Sequence, residues 1–229
     1  MIEEPALITI HNRQDPPSDS EIRSLAGFPT GFIADAMHGR GALSPQIKSV
    51  HTDLPSSFAG RALTCFSGPD DVLGLLAGLS EIRPGDVLMV ACEGWQGSAA
   101  AGDRVIGMAK NAGAVGLVTD GLVRDVMGIV DVGIGVYATG VCPNSPVAKG
   151  PGIVGAAVSM GGVTVNTDDV IVADVDGVVV IPKKQVPQVI ETVKHIEQLE
   201  LTLDEAVANG LKIPQSITEL LESDQVVRL

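Results

Sequence analysis

Aromatic side chains are scarce in this sequence, whose 229 residues include one Trp, one Tyr and four Phe. The core must therefore be built from Val, Ile, Leu and Ala, a composition typical of buried sheets covered by helices. The three cysteines, Cys65, Cys92 and Cys142, form neither a CxxC metal pattern nor an even disulfide framework. We expect an α/β protein without cysteine-bound metal and without a disulfide scaffold.

Positive charge is also in short supply, with 15 Lys and Arg against 28 Asp and Glu and a net charge of -13. This balance repels phosphate backbones and anionic lipid heads, and Lys183-Lys184 is the longest basic cluster. No run of 18 apolar residues is present, and the first ten residues (MIEEPALITI) lack a basic region followed by an apolar stretch. We therefore expect a cytoplasmic protein that binds neither nucleic acid nor a membrane.

Apolar residues recur with strand and helix periods, separated by Gly and Pro. The patterns predict strands over 60–67, 87–92, 115–119, 134–139, 162–166, 170–174 and 178–181, and helices over 20–25, 30–37, 70–79, 103–111 and 183–199. Asp176-Gly177, between the last two strands, predicts a hairpin. No linker or composition break interrupts the chain. We expect one domain over 1–229, with its core at about 28–200 and a helical C-terminal appendage at 201–229.

The segment 87–119 predicts a strand–helix–strand unit. A crossover as short as the one through Asp103–Asn111 predicts that the two strands are parallel and the connection right-handed. In such a unit the helix begins at the edge where the strands end. Residues that directly follow strand 115–119 should therefore share an edge with the N-terminus of the 103–111 helix.

The helix N-terminus at this edge predicts an anion site. Gly102 lets the backbone turn sharply, and the amides of Asp103, Arg104 and Val105 fall in the first turn, where helices leave N–H groups without intrahelical acceptors. Together with the helix dipole, these amides suit a carboxylate or a phosphate.

Arg124 and Asp125 lie across the same edge. A guanidinium can clamp a carboxylate, and a carboxylate can hold a hard divalent cation, so the set suits a short 2-oxo acid bound to a metal. The alternative is a capped helix beside an exposed ion pair with no chemistry. Glu93 and Trp95, in the preceding loop, either line this site or are plain loop residues.

The spacing of these residues has a counterpart in a known family. Asp103, twenty intervening residues and then Arg124-Asp125 resemble the signature of the RraA-like family, in particular of its 4-hydroxy-4-methyl-2-oxoglutarate / 4-carboxy-4-hydroxy-2-oxoadipate aldolases. The segments TGFIADAM, AAAGDRVIGMAKNAGAVGLVTDGLVRD and GGVTVNTDDVIVADVDGVVVIP look like family segments as well. The likeness covers most of residues 28–200 and is poor at both ends.

This resemblance implies a fold, an assembly and an activity. The fold would be a three-layered β/β/α sandwich like the swivelling domains of phosphoenolpyruvate-utilising enzymes, assembled as a homotrimer or homohexamer with active sites at subunit clefts. The activity would be that of a class II aldolase, a lyase that uses Mg²⁺ or Mn²⁺ to cleave 4-hydroxy-2-oxo dicarboxylic or tricarboxylic acids to pyruvate. Many such enzymes also decarboxylate oxaloacetate.

The resemblance also implies a role for each residue of the motif. Asp125 would hold the metal directly, and Arg124 would bind the carboxylate and keto oxygen of the substrate. Asp103 would bind waters on the metal, one of which is the candidate base for the 4-hydroxyl proton. The backbone of Gly102, Asp103, Arg104 and Val105 would cradle pyruvate. The metal would polarise the keto oxygen and stabilise the enolate that forms as the bond breaks.

A second function stays open, namely a non-catalytic regulator whose acidic surface binds a basic partner such as a ribonuclease. Ribonuclease regulators of the family tend to have Gly at the position of Asp103. This chain has Asp103 at that position. It also has Gly128, and not an acidic residue, three residues after Asp125. Both features resemble the aldolase branch more closely.

Four further aspartates, Asp168, Asp169, Asp174 and Asp176, cluster around the predicted hairpin. Acidic residues beside a tight turn are typical of a solvated loop. We expect these four to be solvated rather than part of a site.

Overall fold

A computed structural model of the chain describes residues 6–228, which form an α/β structure. The strands are β1 (Ile8–Ile10), β2 (Lys48–Ser49), β3 (Phe58–Phe66), β4 (Asp86–Ala91), β5 (Ala99–Ala101), β6 (Gly116–Thr119), β7 (Leu122–Val123), β8 (Gly135–Ala138), β9 (Gly140–Val141), β10 (Gly152–Val154), β11 (Val158–Met160), β12 (Val163–Val165), β13 (Val170–Asp174) and β14 (Gly177–Ile181). The helices are α1 (Asp19–Leu25), α2 (Thr30–Ala36), α3 (Leu73–Gly78), α4 (Asp103–Ala112), α5 (Val126–Val132), α6 (Val186–Ala208) and α7 (Gln215–Leu221).

The main sheet has nine strands: seven in the order β1-β10-β3-β4-β6-β8-β2, and the β13–β14 hairpin, whose β13 pairs with β3. Its centre, β3-β4-β6-β8, is parallel throughout. The predicted parallel pairing of strands 87–92 and 115–119 is confirmed, with Leu88 opposite Leu117 in the register of β4 and β6. Because these strands are buried on both faces, they are near-continuous apolar runs in the sequence.

Alternate residues of the central strands face two different layers. On one face, Leu88, Leu117 and Val136 pack with Ile106 of α4 and Ile129 of α5. The other face packs against the β11–β12 and β13–β14 hairpins, through the cluster Val87, Met89, Val118, Tyr137, Met160, Val165, Ile171, Val178 and Val180. The predicted β/β/α layering is thus present.

The β13–β14 hairpin is covered on its outer face by a further helical layer. Val170 and Val179 of the hairpin pack against Leu25 of α1, Ile33 of α2 and Val189 of α6. The predicted hairpin between β13 and β14 is confirmed, but its turn is Val175-Asp176, one residue before the predicted Asp176-Gly177, because Asp174 and Gly177 are partners in the antiparallel ladder.

Some boundaries differ from the predictions. α1 begins one residue earlier than predicted, because the Ser18 side chain accepts the capping hydrogen bond from the Glu21 amide. α6 runs to Ala208, nine residues beyond the predicted end. The short elements β1, β2, β5, β7, β9, β10, β11 and α5 were not predicted. A strand of two or three residues is too short to show a hydrophobic period.

The prediction that Asp168 and Asp169 are solvated is wrong. Their exposed fractions are 1% and 2%, and Arg13 is buried beside them. Arg13 Nε donates to Asp168 Oδ1 at 2.8 Å, and its Nη2 donates to Asp86 Oδ1 at 3.0 Å. Asp169 instead accepts the backbone amide of Lys183 at 2.9 Å. Charged side chains are seldom fully buried without a partner, and Arg13, the partner of Asp168, is distant from it in sequence.

The C-terminal appendage contains the last residues of α6 and the whole of α7. No side chain between residues 194 and 228 is buried in the chain. Among the helices that the structure describes, none combines the length and the apolar character needed to cross a membrane.

Candidate active site

A second, smaller sheet supports the predicted site residues. Strands β5, β7 and β9 lie side by side and parallel, in the order β5-β7-β9. β5 leads into Gly102 and α4, whereas β7 leads into Arg124, Asp125 and α5. The Arg124 amide donates to the Ala101 carbonyl at 3.1 Å. The structure therefore brings the two halves of the motif together at one edge, as predicted, but through a sheet that the sequence did not reveal.

Asp125 has an unusual backbone for a non-glycine residue. Its φ and ψ are 59° and 45°, in the left-handed region. It is the N-cap of α5, yet its side chain caps no amide, although Asp at this position usually does. Its Oδ2 lies 3.3 Å from Arg124 Nε, and the side chain is 49% exposed. The carboxylate thus lies at the surface, bonds no helix amide and is available to a ligand.

Gly102 is required for space rather than for conformation. Its φ of -132° and ψ of 178° are extended, so the sharp turn that we expected is not what selects glycine here. A Cβ on this residue would lie 3.0 Å from Asp125 Oδ2 and 3.2 Å from Arg124 Nε. The absent side chain lets the Arg124-Asp125 pair lie directly over the start of α4.

Asp103 is the first residue of α4, and its carboxylate lies between α4 and α5. Its Oδ1 accepts the Arg104 amide at 2.7 Å. A Cβ on Gly128 of α5 would lie only 2.5 Å from Asp103 Oδ2. Of the three first-turn amides, that of Arg104 is therefore bonded to the Asp103 side chain. The backbone amides of Asp103 and Val105 remain for an anion. A carboxylate at this position also interacts favourably with the helix dipole.

The guanidinium of Arg124 is oriented by a residue that sequence reasoning missed. Its Nη1 donates to Ser145 Oγ at 2.5 Å. Ser145 lies in a Pro-rich stretch without a hydrophobic period, so no local signal marked it. Next to it, the Asn144 carbonyl accepts the Ala99 amide at 3.0 Å, which joins this segment to β5.

Asp71 holds the other end of the same segment. Its Oδ2 accepts the amides of Lys149 and Gly150 at 2.6 and 2.9 Å, and its Oδ1 accepts that of Leu73 at 2.7 Å. Burial opposes ionisation, but these N–H groups together hold the pKa of Asp71 below its usual value. An ionised Asp71 thus fixes the segment that contains Ser145.

Two cavities meet at Arg124. One, of about 390 Å³, is lined by Arg124, Asp125, Val126, Val141, Cys142 and Pro143. The other, of about 200 Å³, lies between Arg124 and α3. Glu93 and Trp95 line neither of them. Trp95 Nε1 instead donates to Ser98 Oγ within its own loop at 3.1 Å.

The donor set fits a hard divalent cation with few protein ligands. Within residues 6–228, no three His, Cys, Asp or Glu side chains converge to form a closed metal site. Mg²⁺ usually keeps several waters and binds proteins through one or two carboxylates. The uncapped Asp125, over the space left by Gly102, suits Mg²⁺ or Mn²⁺ in this role.

Comparison with known proteins agrees with the motif. The model of the RraA-like family, described as Aldolase/RraA, matches residues 30–180. This chain belongs to the RraA-like family. The match includes every residue of the Gly102–Val105 segment and the Arg124-Asp125 pair.

One relative of this RraA-like chain carries the name of an enzyme. A protein of Halalkalibacterium halodurans, provisionally named 4-hydroxy-4-methyl-2-oxoglutarate aldolase, is 32% identical over 197 residues. The alignment covers 85% of this chain and 93% of the relative.

Two similar solved structures carry the name of a regulator. RraAS2 of Streptomyces coelicolor, described as an unusual member of the RNase ES inhibitor RraA family, is 28% identical with a TM-score of 0.73. The match covers 82% of this chain and 98% of that one. A Thermus protein described as the RNA-processing inhibitor RraA is 29% identical with a TM-score of 0.62, covering 68% and 93% of the two chains. Proteins similar to this chain thus carry the names of an enzyme and of a ribonuclease regulator.

Proposed function

We propose that this RraA-like protein is a divalent-metal-dependent carbon–carbon lyase of the class II aldolase type. It would cleave 4-hydroxy-2-oxo acids, of the dicarboxylic or tricarboxylic kind that the family resemblance implies, to pyruvate, and would also decarboxylate oxaloacetate. The observation that carries the proposal is Asp125, an exposed carboxylate that caps no helix amide and lies 3.3 Å from Arg124 Nε. An Asp that served only to start α5 would be expected to cap a first-turn amide, which Asp125 does not.

Each residue has a distinct task in this proposal. Asp125 would hold Mg²⁺ or Mn²⁺, which supplies Lewis acidity to the keto oxygen when bound. Arg124, whose Nη1 is fixed by Ser145, would bind the carboxylate of the 2-oxo acid with its Nη2 amino group. The amides of Asp103 and Val105 would add donors for the same anion.

Asp103 would assist the proton transfer from the C4 hydroxyl. Its carboxylate lies against α5, between the two halves of the motif. From this position it would polarise a water that takes the proton from the C4 hydroxyl as the C3–C4 bond breaks.

Pyruvate release tests the proposal. Purified protein is assayed with oxaloacetate and 4-hydroxy-2-oxo acids in a lactate-dehydrogenase-coupled assay, with Mg²⁺, with Mn²⁺ and with EDTA. We expect turnover that EDTA abolishes and either metal restores. Asp125→Ala should abolish turnover, whereas Asp131→Ala, an exposed aspartate of the same helix, should retain it. Turnover by Asp125→Ala equal to that of the wild type would show that the site is assigned wrongly.

The regulator function is the second candidate, supported by the names of the two solved structures and by the net charge of -13. It makes the opposite prediction in the same experiments. A regulator would release no pyruvate with any metal, and would inhibit a ribonuclease with a salt dependence typical of an acidic surface on a basic one. Asp125→Ala would leave that inhibition unchanged.

A further inference from the structure

A cavity of about 540 Å³ lies outside the candidate active site, and we call it the polar pocket. Its lining comes from residues 12–14, from the stretch 155–169 before β13, and from the turn 182–185 between β14 and α6. It shares no residue with the two cavities at Arg124. Ten of its thirteen lining residues have polar or charged side chains, so the polar pocket suits a polar ligand.

Asp168 lines the polar pocket with one carboxylate oxygen unused. The residue is 1% exposed, and its Oδ1 accepts a hydrogen bond from Arg13 Nε at 2.8 Å. No donor within residues 6–228 reaches its Oδ2. Buried polar atoms in native proteins nearly always have a hydrogen-bond partner, because a buried acceptor without a donor is costly. Asp168 Oδ2 therefore marks a position for a donor that the described chain does not supply.

The charges around Asp168 favour a cationic donor. Arg13 is shared between Asp168 and Asp86, so two buried carboxylates lie beside one guanidinium. Asp169 has its own partners, since its Oδ1 accepts the Lys183 amide at 2.9 Å and its Oδ2 accepts the Asn166 amide at 2.8 Å. A cation at Asp168 Oδ2 would supply the missing hydrogen bond and balance the second carboxylate.

Charge of the opposite sign comes from Lys183 and Lys184, which also line the polar pocket. Lys183 is half-buried, and its Nζ donates to the Gln14 carbonyl at 2.6 Å. An ammonium has three donors, so Lys183 keeps N–H groups for a ligand. Lys184 is exposed. The polar pocket thus combines one unused acceptor with two ammonium groups that can bind carboxylates.

We propose that the polar pocket binds a free acidic α-amino acid, glutamate or aspartate. Its ammonium group donates to Asp168 Oδ2, and its two carboxylates bind Lys183 and Lys184. A metal cation at Asp168 would leave both lysines without a partner, and a simple dicarboxylate would leave Asp168 Oδ2 without a donor. An acidic amino acid has the one cation and the two anions that these three side chains require.

Binding of matched ligands tests the proposal. Isothermal titration calorimetry is performed with L-glutamate and L-aspartate, and with two analogues of glutamate. In 2-hydroxyglutarate a hydroxyl replaces the ammonium, and 4-aminobutyrate lacks the α-carboxylate. We expect one amino acid to bind per chain, and both analogues to bind at least about tenfold more weakly, because each loses a charge-assisted hydrogen bond. No binding of glutamate or aspartate at millimolar concentration, or equal binding of 2-hydroxyglutarate, would overturn the proposal.

Variants connect the binding to the polar pocket. Asp168→Asn keeps the size of the side chain and an oxygen for Arg13, but presents an N–H group to the ammonium, so affinity should fall at least about tenfold. Lys184→Ala should weaken binding several-fold. Lys194→Ala is the matched control, because Lys194 is an exposed residue of α6 that does not line the polar pocket. Thermal melts verify folding, and Lys184→Ala with the two analogues decides if Asp168→Asn is not folded.

Arg124→Lys distinguishes the polar pocket from the candidate active site. It should bind glutamate like the wild type, because Arg124 does not line the polar pocket. Loss of binding in Arg124→Lys, or unchanged binding in every folded variant of Asp168 and Lys184, would place the amino acid elsewhere and overturn the proposal. Pyruvate release plays no part in these measurements, so the result does not depend on the function proposed above.

Discussion

At the scale of single residues, the site depends on how Arg124 is held. Ser145 Oγ fixes Nη1, and Asp125 Oδ2 lies 3.3 Å from Nε, so the plane of the guanidinium is oriented from two sides. A guanidinium oriented in this way presents the N–H groups of Nη2 to a substrate carboxylate in a fixed direction. Positive charge alone does not provide this geometry.

Arg124→Lys therefore tests geometry against charge. The ammonium keeps the charge but loses the fork and the contact with Ser145, so we expect kcat/KM to fall by about 10²–10³, equivalent to about 3–4 kcal/mol. Steady-state pyruvate release measures the effect. Arg23→Lys, on the exposed side of α1, makes the same chemical change away from the site and should behave as wild type. A loss of less than twofold in Arg124→Lys would mean that the guanidinium does not clamp the substrate.

At the scale of elements, the site depends on the close approach of α4 and α5. Gly102 precedes α4 and lies under Asp125, while Gly128 of α5 lies against Asp103. Each glycine thus makes room for the carboxylate of the other segment. Two helices that follow neighbouring strands of one small sheet are held at this distance by the sheet and by the Ile106–Ile129 core.

Gly128→Ala tests the need for this approach. Its Cβ would lie 2.5 Å from Asp103 Oδ2 and 2.8 Å from Asp103 Cβ, so Asp103 or the helix must move. We expect kcat to fall by about tenfold to a hundredfold, since displacement of a catalytic group by about 1 Å has effects of this size. Gly107→Ala in α4 is the control: its nearest neighbour would be Val132 at 3.6 Å, and it should gain up to about 1 kcal/mol of helix stability. Equal turnover in the two variants would show that Asp103 tolerates the shift.

At the scale of the whole molecule, Arg13 connects three regions that are far apart in sequence. It joins the N-terminal segment to Asp86 at the start of β4 and to Asp168 before β13, and its side chain is 4% exposed. Burial lowers the pKa of Arg13, but the two carboxylates outweigh this effect and raise it, so the group is charged.

The assembly into a homotrimer or homohexamer stays a prediction.

Arg13→Ala would leave two buried carboxylates without their cation. We expect the free energy of unfolding to fall by about 3–5 kcal/mol, the usual effect of removing one partner of a buried ion pair. Urea denaturation followed by circular dichroism measures it, with Arg23→Ala as the exposed control. Because Arg13 lines neither cavity at Arg124, the folded variant should retain its turnover. A loss below about 1 kcal/mol would mean that water reaches Asp86 and Asp168 and replaces the guanidinium.

The sequence by itself determined the long elements and the shared edge. Strands such as β4 and β6 are buried on both faces, so their apolar runs mark them, and the short crossover between them allowed one arrangement. The adjacency of Asp103 to Arg124 and Asp125 followed from that topology, and the motif spacing identified the RraA-like family.

Only the tertiary structure decided what surrounds these residues. The β5-β7-β9 sheet, Ser145 against Arg124, the small cavity between Arg124 and α3, and the burial of Asp168 beside Arg13 all join residues from separate parts of the chain. Hydrophobic periods and turn signals report on neighbours within a few positions, because they arise from the local backbone repeat. Contacts between distant segments depend instead on how the layers pack, and strands of two or three residues leave no period from which that packing could be inferred.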